Sequence, residues 1–317
     1  MKSLLRLVAC LLSALLFFGC AGIRACIRAE EPDASNAERD ALWEQLLSER
    51  PDTPPVSDPV LTVVFLDVGQ GDCVFLSAPD GQTMLVDAGP VGSYPAIAET
   101  LACYGVDSLD VVVATHPHTD HIGAMADVLD AWPAGTFCTT EQTLSMGGDL
   151  NRAIEQNGCD VAILEAMQQI PWSETCTVTV LNPIPAYDPP DDPNDASAVI
   201  RVQFGDTAVL LTGDAGEEAE QRILDTFPRS MLRADVLKLG HHGSRYSTGY
   251  SFFLAVSPDY AVASCGKDNE YGHPHADTLS LLYVTHTALY RTDQDGTITF
   301  RFNGADVSVE PTRKELP

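Results

Sequence analysis

Basic residues are scarce. Lysine and arginine together number 18 against 45 aspartates and glutamates, which leaves a formal charge of −27. Such an excess keeps a chain soluble and repels nucleic acid and anionic membrane at long range. It argues against a surface that grips a duplex through many phosphates. A polyanionic substrate would have to be captured locally, by a metal or a few basic side chains. Metal-binding cysteine patterns are missing as well. Nine cysteines are present, but none forms a CxxC pair, so a cysteine-based zinc site is not expected. Cys138, Cys159 and Cys176 have no spacing that specifies a disulfide, and Cys73 and Cys265 lie in apolar stretches that read as core. Long apolar runs are confined to the start. Leu7 to Phe18 is uncharged and apolar, follows the basic Lys2 and Arg6, and is too short for an ordinary membrane span. It fits the core of a signal peptide.

Gly19-Cys20 follows that run and resembles the end of a bacterial lipoprotein signal, in which the cysteine is lipidated. The expected organisation is a signal at 1–19, an acidic, proline-containing tether at 20–59 and a catalytic body at 60–317. The expected location is extracytoplasmic, on a membrane through a lipid anchor at Cys20 or through the signal segment itself. No feature calls for a protein partner.

Within the body, "LTVVFLDVG", "CVFLSAP" and "GQTMLVDAG" read as strands separated by Gly-rich turns. "YPAIAETLACYG" reads as an amphipathic helix stopped at Gly105, "LDVVVATH" as a buried strand and "GAMADVLDAW" as a helix. "SAVIRVQFG" and "DTAVLLTGD" read as a hairpin, "EEAEQRILDTF" as a helix and "ADVLKLGHHGS" as a strand ending in two histidines. "PDYAVASCG" and a final hairpin, "GTITFRF" to "DVSVEP", close the body. Packed sheets with helices outside follow from this alternation.

Histidine is rare, and its placement carries the chemistry. The chain has eight, at positions 116, 118, 121, 241, 242, 273, 275 and 286, and all but His286 fall in three short clusters. His286 reads as structural. "ATHPHTDHIGAM" places His116, His118, Asp120 and His121 just after a strand, and Asp214 and His241-His242 also follow strands. Loops at the ends of strands are where a rigid sheet presents catalytic groups. Imidazole and carboxylate together suit zinc, or manganese or iron where carboxylates are more numerous. Regular helix or strand geometry cannot turn all these groups onto one ion. A tight loop can, or the groups can divide between two ions.

"THPHTDH" resembles the HxHxDH signature of the metallo-β-lactamase fold. More narrowly, "FLDVGQGDC", "LVDAG", "THPHTDHIGAM", "LLTGD", "ADVLKLGHHGS", "NEYGHPH" and "YRTDQDGTI" resemble, in consistent order over about residues 60–310, the soluble hydrolase domain of ComEC-type competence proteins. The resemblance implies an α+β fold, an αββα sandwich with the metal site at one edge of the two sheets. It implies two divalent ions, zinc or manganese. His116 and His118 would hold one ion. Asp120, His121 and His242 would hold the other, and Asp214 would bridge. His241 is then left as a phosphate contact or proton donor, although its role and that of His242 are exchangeable at this stage. Asp87 would brace the histidine loop.

Many members of the wider fold carry a further histidine ligand before the bridging aspartate. None occurs here between His121 and His241, and the matching stretch is "NDASAVIRV". The first ion should therefore be the more open one. His273 and His275 bracket Pro274 and are candidate substrate contacts, as is Ser244, which otherwise caps a turn. Asp67, Gln70 and Asp72 are divided evenly between substrate or ligand support and turn formation. Lys238 and Arg291 are candidate positive groups, with an ordinary solvated role at least equal for each. The expected activity is hydrolysis of a phosphodiester, single-stranded DNA or a smaller ester, with Asp120 and His241 as the catalytic side chains. The alternatives are hydrolysis of a lactone, thioester or β-lactam on the same fold, or a binding module without turnover.

Overall fold

A computed structural model describes residues 59–146, 148–187 and 192–313. The expected signal, Cys20 and nearly all of the tether lie outside them. Among the described residues, fifteen strands form two sheets. The first contains β1 (Leu61–Phe65), β2 (Val74–Ser77), β3 (Thr83–Val86), β4 (Leu109–Ala114), β5 (Ala134–Thr139) and β6 (Asp160–Ile163). The second contains β7 (Gln169–Ile170), β8 (Thr177–Asn182), β9 (Val199–Phe204), β10 (Thr207–Leu211), β11 (Val236–Lys238), β12 (Tyr260–Ala263) and β13 (Ala288–Arg291). The final hairpin, β14 (Ile298–Phe302) and β15 (Val307–Pro311), returns to the first sheet. The strand orders are β15-β14-β1-β2-β3-β4-β5-β6 and β13-β12-β11-β10-β9-β8-β7.

Alternation decides what each strand does. Val63, Phe65, Leu76, Val86, Val111 and Val113 of the first sheet meet Val178, Val180, Ile200, Val202, Val209 and Val236 of the second in one core. Burying each such side chain contributes about 1.5–3 kcal/mol. The strands that also carry helices on their outer face are apolar at nearly every position, as sheets covered on both sides require. Behind the second sheet, Leu210, Leu237 and Ala263 pack with Ile223 of helix Glu217–Thr226, Phe252, Phe253 and Val256 of helix Tyr250–Val256, and Leu282 of helix Ala276–Thr285. The two sheets and their helices form the α+β sandwich that the motifs imply.

Direction within the sheets locates the site. β3, β4, β5 and β6 run parallel, and β1 runs with β3 because both are antiparallel to β2. β10, β11, β12 and β13 are likewise parallel. The C-terminal ends of these strands deliver Asp72, Asp87, the 116–121 loop, Asp214 and the two adjacent histidines. Cys138, Cys159 and Cys176 are all unpaired thiols.

Candidate metal centre

The site is assembled from the backbone outward. Asp87, just past β3, sits at φ 59°. Its Oδ1 accepts the Thr115 N–H at 2.8 Å and its Oδ2 accepts the Thr115 hydroxyl at 2.7 Å. The same Oδ2 lies 2.7 Å from His121 Nδ1. Having donated to Asp87, the Thr115 hydroxyl accepts from His116 Nδ1 at 3.1 Å. His242 Nδ1 donates to the Ser264 carbonyl at 2.9 Å. Three imidazoles therefore have Nδ1 engaged by protein, which turns the Nε2 edge of each toward a ligand role.

Those Nε2 atoms converge on Asp214. Asp214 Oδ1 lies 3.2 Å from His121 Nε2, and Oδ2 lies 3.5 Å from His242 Nε2 and 3.8 Å from His116 Nε2. His118 enters with the opposite edge, its Nδ1 at 3.2 Å from His116 Nε2. Asp120 Oδ2 lies 3.1 Å from His242 Nε2. His116, His121, His242 and Asp214 are buried, while His118, Asp120 and His241 are half-buried at the opening.

Two buried atoms decide what fits. His121 Nε2 and Asp214 Oδ1 face each other and neither makes a hydrogen bond. Burying polar groups this way is costly unless something compensates them. A divalent cation does so, and imidazole nitrogen with carboxylate oxygen suits zinc, manganese or iron. The electrostatics agree. Burial opposes ionisation of Asp214, yet His242 and His121 hold its carboxyl well below the usual carboxylate range. Burial likewise opposes charge on His242, but Asp214, Asp120 and Asp72 push it up to about 9. The cluster as a whole draws positive charge.

The turn that supplies the late histidines is strained. His241 (φ 46°, ψ 49°) and His242 (φ 57°, ψ 21°) are consecutive left-handed residues, followed by Gly243 at φ 87°. Left-handed conformations cost non-glycine residues roughly 1–2 kcal/mol each. The surroundings hold them there: Gly240 N–H donates to Thr248 Oγ1 at 3.0 Å, and His241 N–H donates to the Gly213 carbonyl at 3.2 Å. That second bond ties the turn to the Asp214 loop. Gly71 performs a similar service for Asp120. A Cβ at Gly71 would lie 2.2 Å from the Asp120 carbonyl oxygen, so only glycine lets the 67–72 loop close on the histidine loop.

The remaining candidates separate. His273 is buried with Nδ1 unpartnered, its ring 5.5 Å from that of His241. His275 is half-buried beside it, ring centroids 4.9 Å apart, and its Nδ1 accepts the Arg245 N–H at 3.1 Å. Ser244 is buried and its Oγ accepts the Tyr246 N–H at 3.3 Å, which is turn-capping geometry. Arg291 pairs with Asp293 at 2.8 Å, and Asp67 with Arg313 at 2.7 Å. Gln70 Oε1 accepts the Gly266 N–H at 3.0 Å. His286 is exposed at the C-terminal end of helix Ala276–Thr285, about 16 Å from the His275 end at 1.5 Å per residue. In "NDASAVIRV", Ser197 Oγ accepts the Asp214 N–H at 3.1 Å, so that stretch supports Asp214 through a hydroxyl.

Lys238 departs from the solvated alternative. Its side chain is 1% exposed and its Nζ lies 2.9 Å from Asp72 Oδ2. The sequence signal was present: a lysine inside the apolar run "ADVLKLG" is a buried charge that requires a partner. Beyond Ala196 the same edge carries a cavity of about 280 Å³, lined by Thr140, Gln142, Ile184, Tyr187 and Arg222 among others.

Comparison with known proteins agrees with this geometry. The sequence matches the metallo-beta-lactamase superfamily over residues 66–267. The chain belongs to that superfamily. ComE operon protein 3 of Bacillus subtilis (strain 168) is 34% identical over 260 residues, covering 76% of this chain and 33% of that protein. Competence protein ComA of Neisseria gonorrhoeae is 30% identical over 272 residues, covering 84% and 36%. These relatives are ComEC-type competence proteins, and the chain spans about a third of their length. Among solved structures, CmlA, a diiron beta-hydroxylase from Streptomyces venezuelae, superposes with a TM-score of 0.51 at 15% identity, over 79% of this chain and 55% of that one. Zinc-bound PqqB from Methylobacterium extorquens does so with 0.51 at 10% identity, over 74% and 99%. Likeness at those identities speaks to the fold alone.

Proposed function

We propose that this superfamily hydrolase is an exported, metal-dependent phosphodiesterase acting on a small or single-stranded phosphodiester. The observation that carries the reading is Asp214 standing among the Nε2 atoms of His121, His242 and His116, at 3.2, 3.5 and 3.8 Å, with its buried Oδ1 making no hydrogen bond; by the resemblance, His116 and His118 would hold one ion and His121, His242 and Asp120 the other. With no third histidine for the first ion, the donors there are fewer and exchangeable positions remain for phosphoryl oxygens. Divalent ions, zinc or manganese, supply Lewis acidity there when bound, lowering the pKa of water and offsetting charge on the phosphoryl group.

The chain's own groups do the rest. Asp120, half-buried at the opening, accepts the proton of the attacking water. His241 donates a proton to the oxygen that leaves as the P–O bond breaks. His273 and His275 offer ring N–H groups to the non-bridging oxygens. A neutral ester or lactam carbonyl needs only one strong Lewis acid, whereas an anionic phosphodiester gains from two. The shortage of basic residues weighs against long duplex DNA, whose affinity draws on many phosphate contacts. Two relatives are named for competence, which makes single-stranded DNA a substrate to include.

The test is a side-by-side assay with bis(p-nitrophenyl) phosphate, single-stranded DNA, RNA and a chromogenic cephalosporin, with chelator and with Mn²⁺ or Zn²⁺ added back. Phosphodiester cleavage restored by metal supports the reading; efficient cephalosporin cleavage without phosphodiesterase activity under any metal overturns it. The location follows from the N-terminal segment: a lipid anchor at Cys20 places the enzyme outside the cytoplasm. Loss of membrane retention on Cys20→Ala supports that anchor, and unchanged retention makes the uncleaved apolar segment the better reading.

A further inference from the structure

Four buried groups crowd the centre. Asp72, His121, Asp214 and His242 each bring a potential ligand atom within 4.8 Å of the others. By distance alone Asp72 qualifies as a ligand. Its contacts point elsewhere. Asp72 Oδ1 lies 3.3 Å from His242 Nδ1, and Oδ2 lies 4.0 Å from His121 Nδ1. Asp214 and Asp120 meet the other nitrogens of the same rings, the Nε2 atoms. Asp72 therefore stands behind the two imidazoles while the ligand carboxylates stand in front.

A second observation separates it further. Asp72 Oδ2 accepts from Lys238 Nζ at 2.9 Å, and the same Nζ donates to the Leu239 carbonyl at 2.7 Å. Both side chains are almost wholly buried, at 4% and 1% exposure. Backbone bonds fix the main chain of the residue: Asp72 N–H donates to the Asp120 carbonyl at 3.1 Å, and Gly89 N–H donates to the Asp72 carbonyl at 2.8 Å. A carboxylate already neutralised by a buried ammonium is a poor additional ligand. It is well suited to fix ring orientation from the rear.

We propose that Asp72 and Lys238 form a positioning pair outside the ligand set. Asp72 backs the His242 ring at 3.3 Å from Nδ1, beside the Ser264 carbonyl that takes the Nδ1 proton, while Asp87 holds His121; Lys238 cancels the Asp72 charge so that no cation is drawn behind the rings. The carboxylates acting directly on the ions are then Asp120 and Asp214. The inference rests on the metal-site reading above and assigns a role to two residues that the motifs leave undecided.

The experiment loads purified protein with Co²⁺ and compares wild type with Asp72→Asn, Lys238→Met and the double variant. Elemental analysis gives ions per chain, the visible Co²⁺ bands report the ligand set, and chelator competition gives affinity. Asp72→Asn should keep the wild-type ion count and band positions while affinity falls about 10–100-fold, the usual effect of losing a partner behind a ligand. Lys238→Met leaves a buried unpaired carboxylate and should melt lower than the double variant, which removes both charges. If a single variant fails to fold, the double variant carries the test, since an ion count equal to wild type is expected there too. Loss of an ion or a changed Co²⁺ spectrum in either Asp72 variant makes Asp72 a ligand and overturns the proposal. Wild type is measured alongside: no cobalt there overturns the metal site itself, whereas cobalt lost only with Asp72 overturns this inference alone.

Discussion

His121 Nδ1 lies 2.7 Å from Asp87 Oδ2, and that oxygen also takes the Thr115 hydroxyl at 2.7 Å. One carboxylate thus fixes the tautomer of His121 directly and that of His116 through Thr115. Asp87 in turn is set by its left-handed backbone and by the Thr115 N–H.

Replacing Asp87 by Asn should therefore weaken metal binding without removing a ligand. The amide can still accept the Thr115 N–H, but it no longer pairs with His121 as a carboxylate. Metal affinity should fall about 10–100-fold. Competition with a chromophoric chelator measures it, and unchanged affinity would remove Asp87 from the supporting framework.

Asp214 should behave differently. It is the carboxylate that the Nε2 atoms of His121, His242 and His116 all approach, so Asp214→Ala should reduce turnover by at least about 10²–10³-fold, the scale of losing a main electrostatic contributor. Circular dichroism should show the fold retained, and elemental analysis should show metal reduced. His286→Ala is the control. That exposed residue should change stability by less than about 0.5 kcal/mol and leave the rate nearly untouched. An essential His286 together with a dispensable Asp214 would remove the basis for reading the clusters as the site.

Much of this was legible in the sequence because chemistry follows apolar runs. β4, β10 and β11 are mostly β-branched or Leu, and each is followed within three residues by histidine or aspartate. The motifs then divided the ligands in an order that the structure brings together around Asp214. Residues 134–182 were not legible as strands. β6 is a four-residue outermost strand of its sheet with mostly exposed side chains, so it carries no clean alternation. Helix Ala276–Thr285 was missed for a similar reason: Tyr283 is 82% and Val284 66% exposed, so its apolar residues do not mark one buried stripe. The Asp72–Lys238 pair was hidden because its partners come from different sheets, and only the sandwich brings them together.

Glu220 gives a prediction in pH. Its carboxylate accepts the Thr248 and Gly249 N–H groups, just beyond the His241–Gly243 turn. Burial pushes its pKa up to about 8 from 4.5, against the pull of those amides, with Glu217 and Asp195 adding to the rise. Below about pH 4.5 folded and unfolded states both hold the proton. Between about 4.5 and 8 the unfolded chain ionises while the folded one does not, so this residue's contribution to stability is lost as pH rises. The denaturation midpoint of wild type should fall from about pH 5 to pH 8 by more than that of Glu220→Gln. Parallel pH profiles for the two proteins would show that Glu220 is ionised in the fold.

Two adjacent histidines should part company under substitution. His242 is 1% exposed at its side chain; its Nδ1 donates to the Ser264 carbonyl, and its Nε2 faces Asp120 at 3.1 Å and Asp214 at 3.5 Å. His241 is 34% exposed and has the His273 ring 5.5 Å away on the open side; its Nε2 lies 3.7 Å from Asp214 Oδ2, as near as that of His116, so exposure and not distance sets it apart. The left-handed turn makes this division, because consecutive residues in it send one ring into the cage and the other to its rim. His242→Ala should lose bound metal and, with it, turnover. His241→Ala should keep the wild-type ion count yet lose roughly 10²–10⁴-fold in kcat, the range for removing a general acid. A leaving group of low pKa needs no proton, so the loss should be smaller with bis(p-nitrophenyl) phosphate than with an ester of an ordinary alcohol. Equal metal loss in both variants would make His241 a ligand, and equal kinetic losses on both esters would remove it as the proton donor.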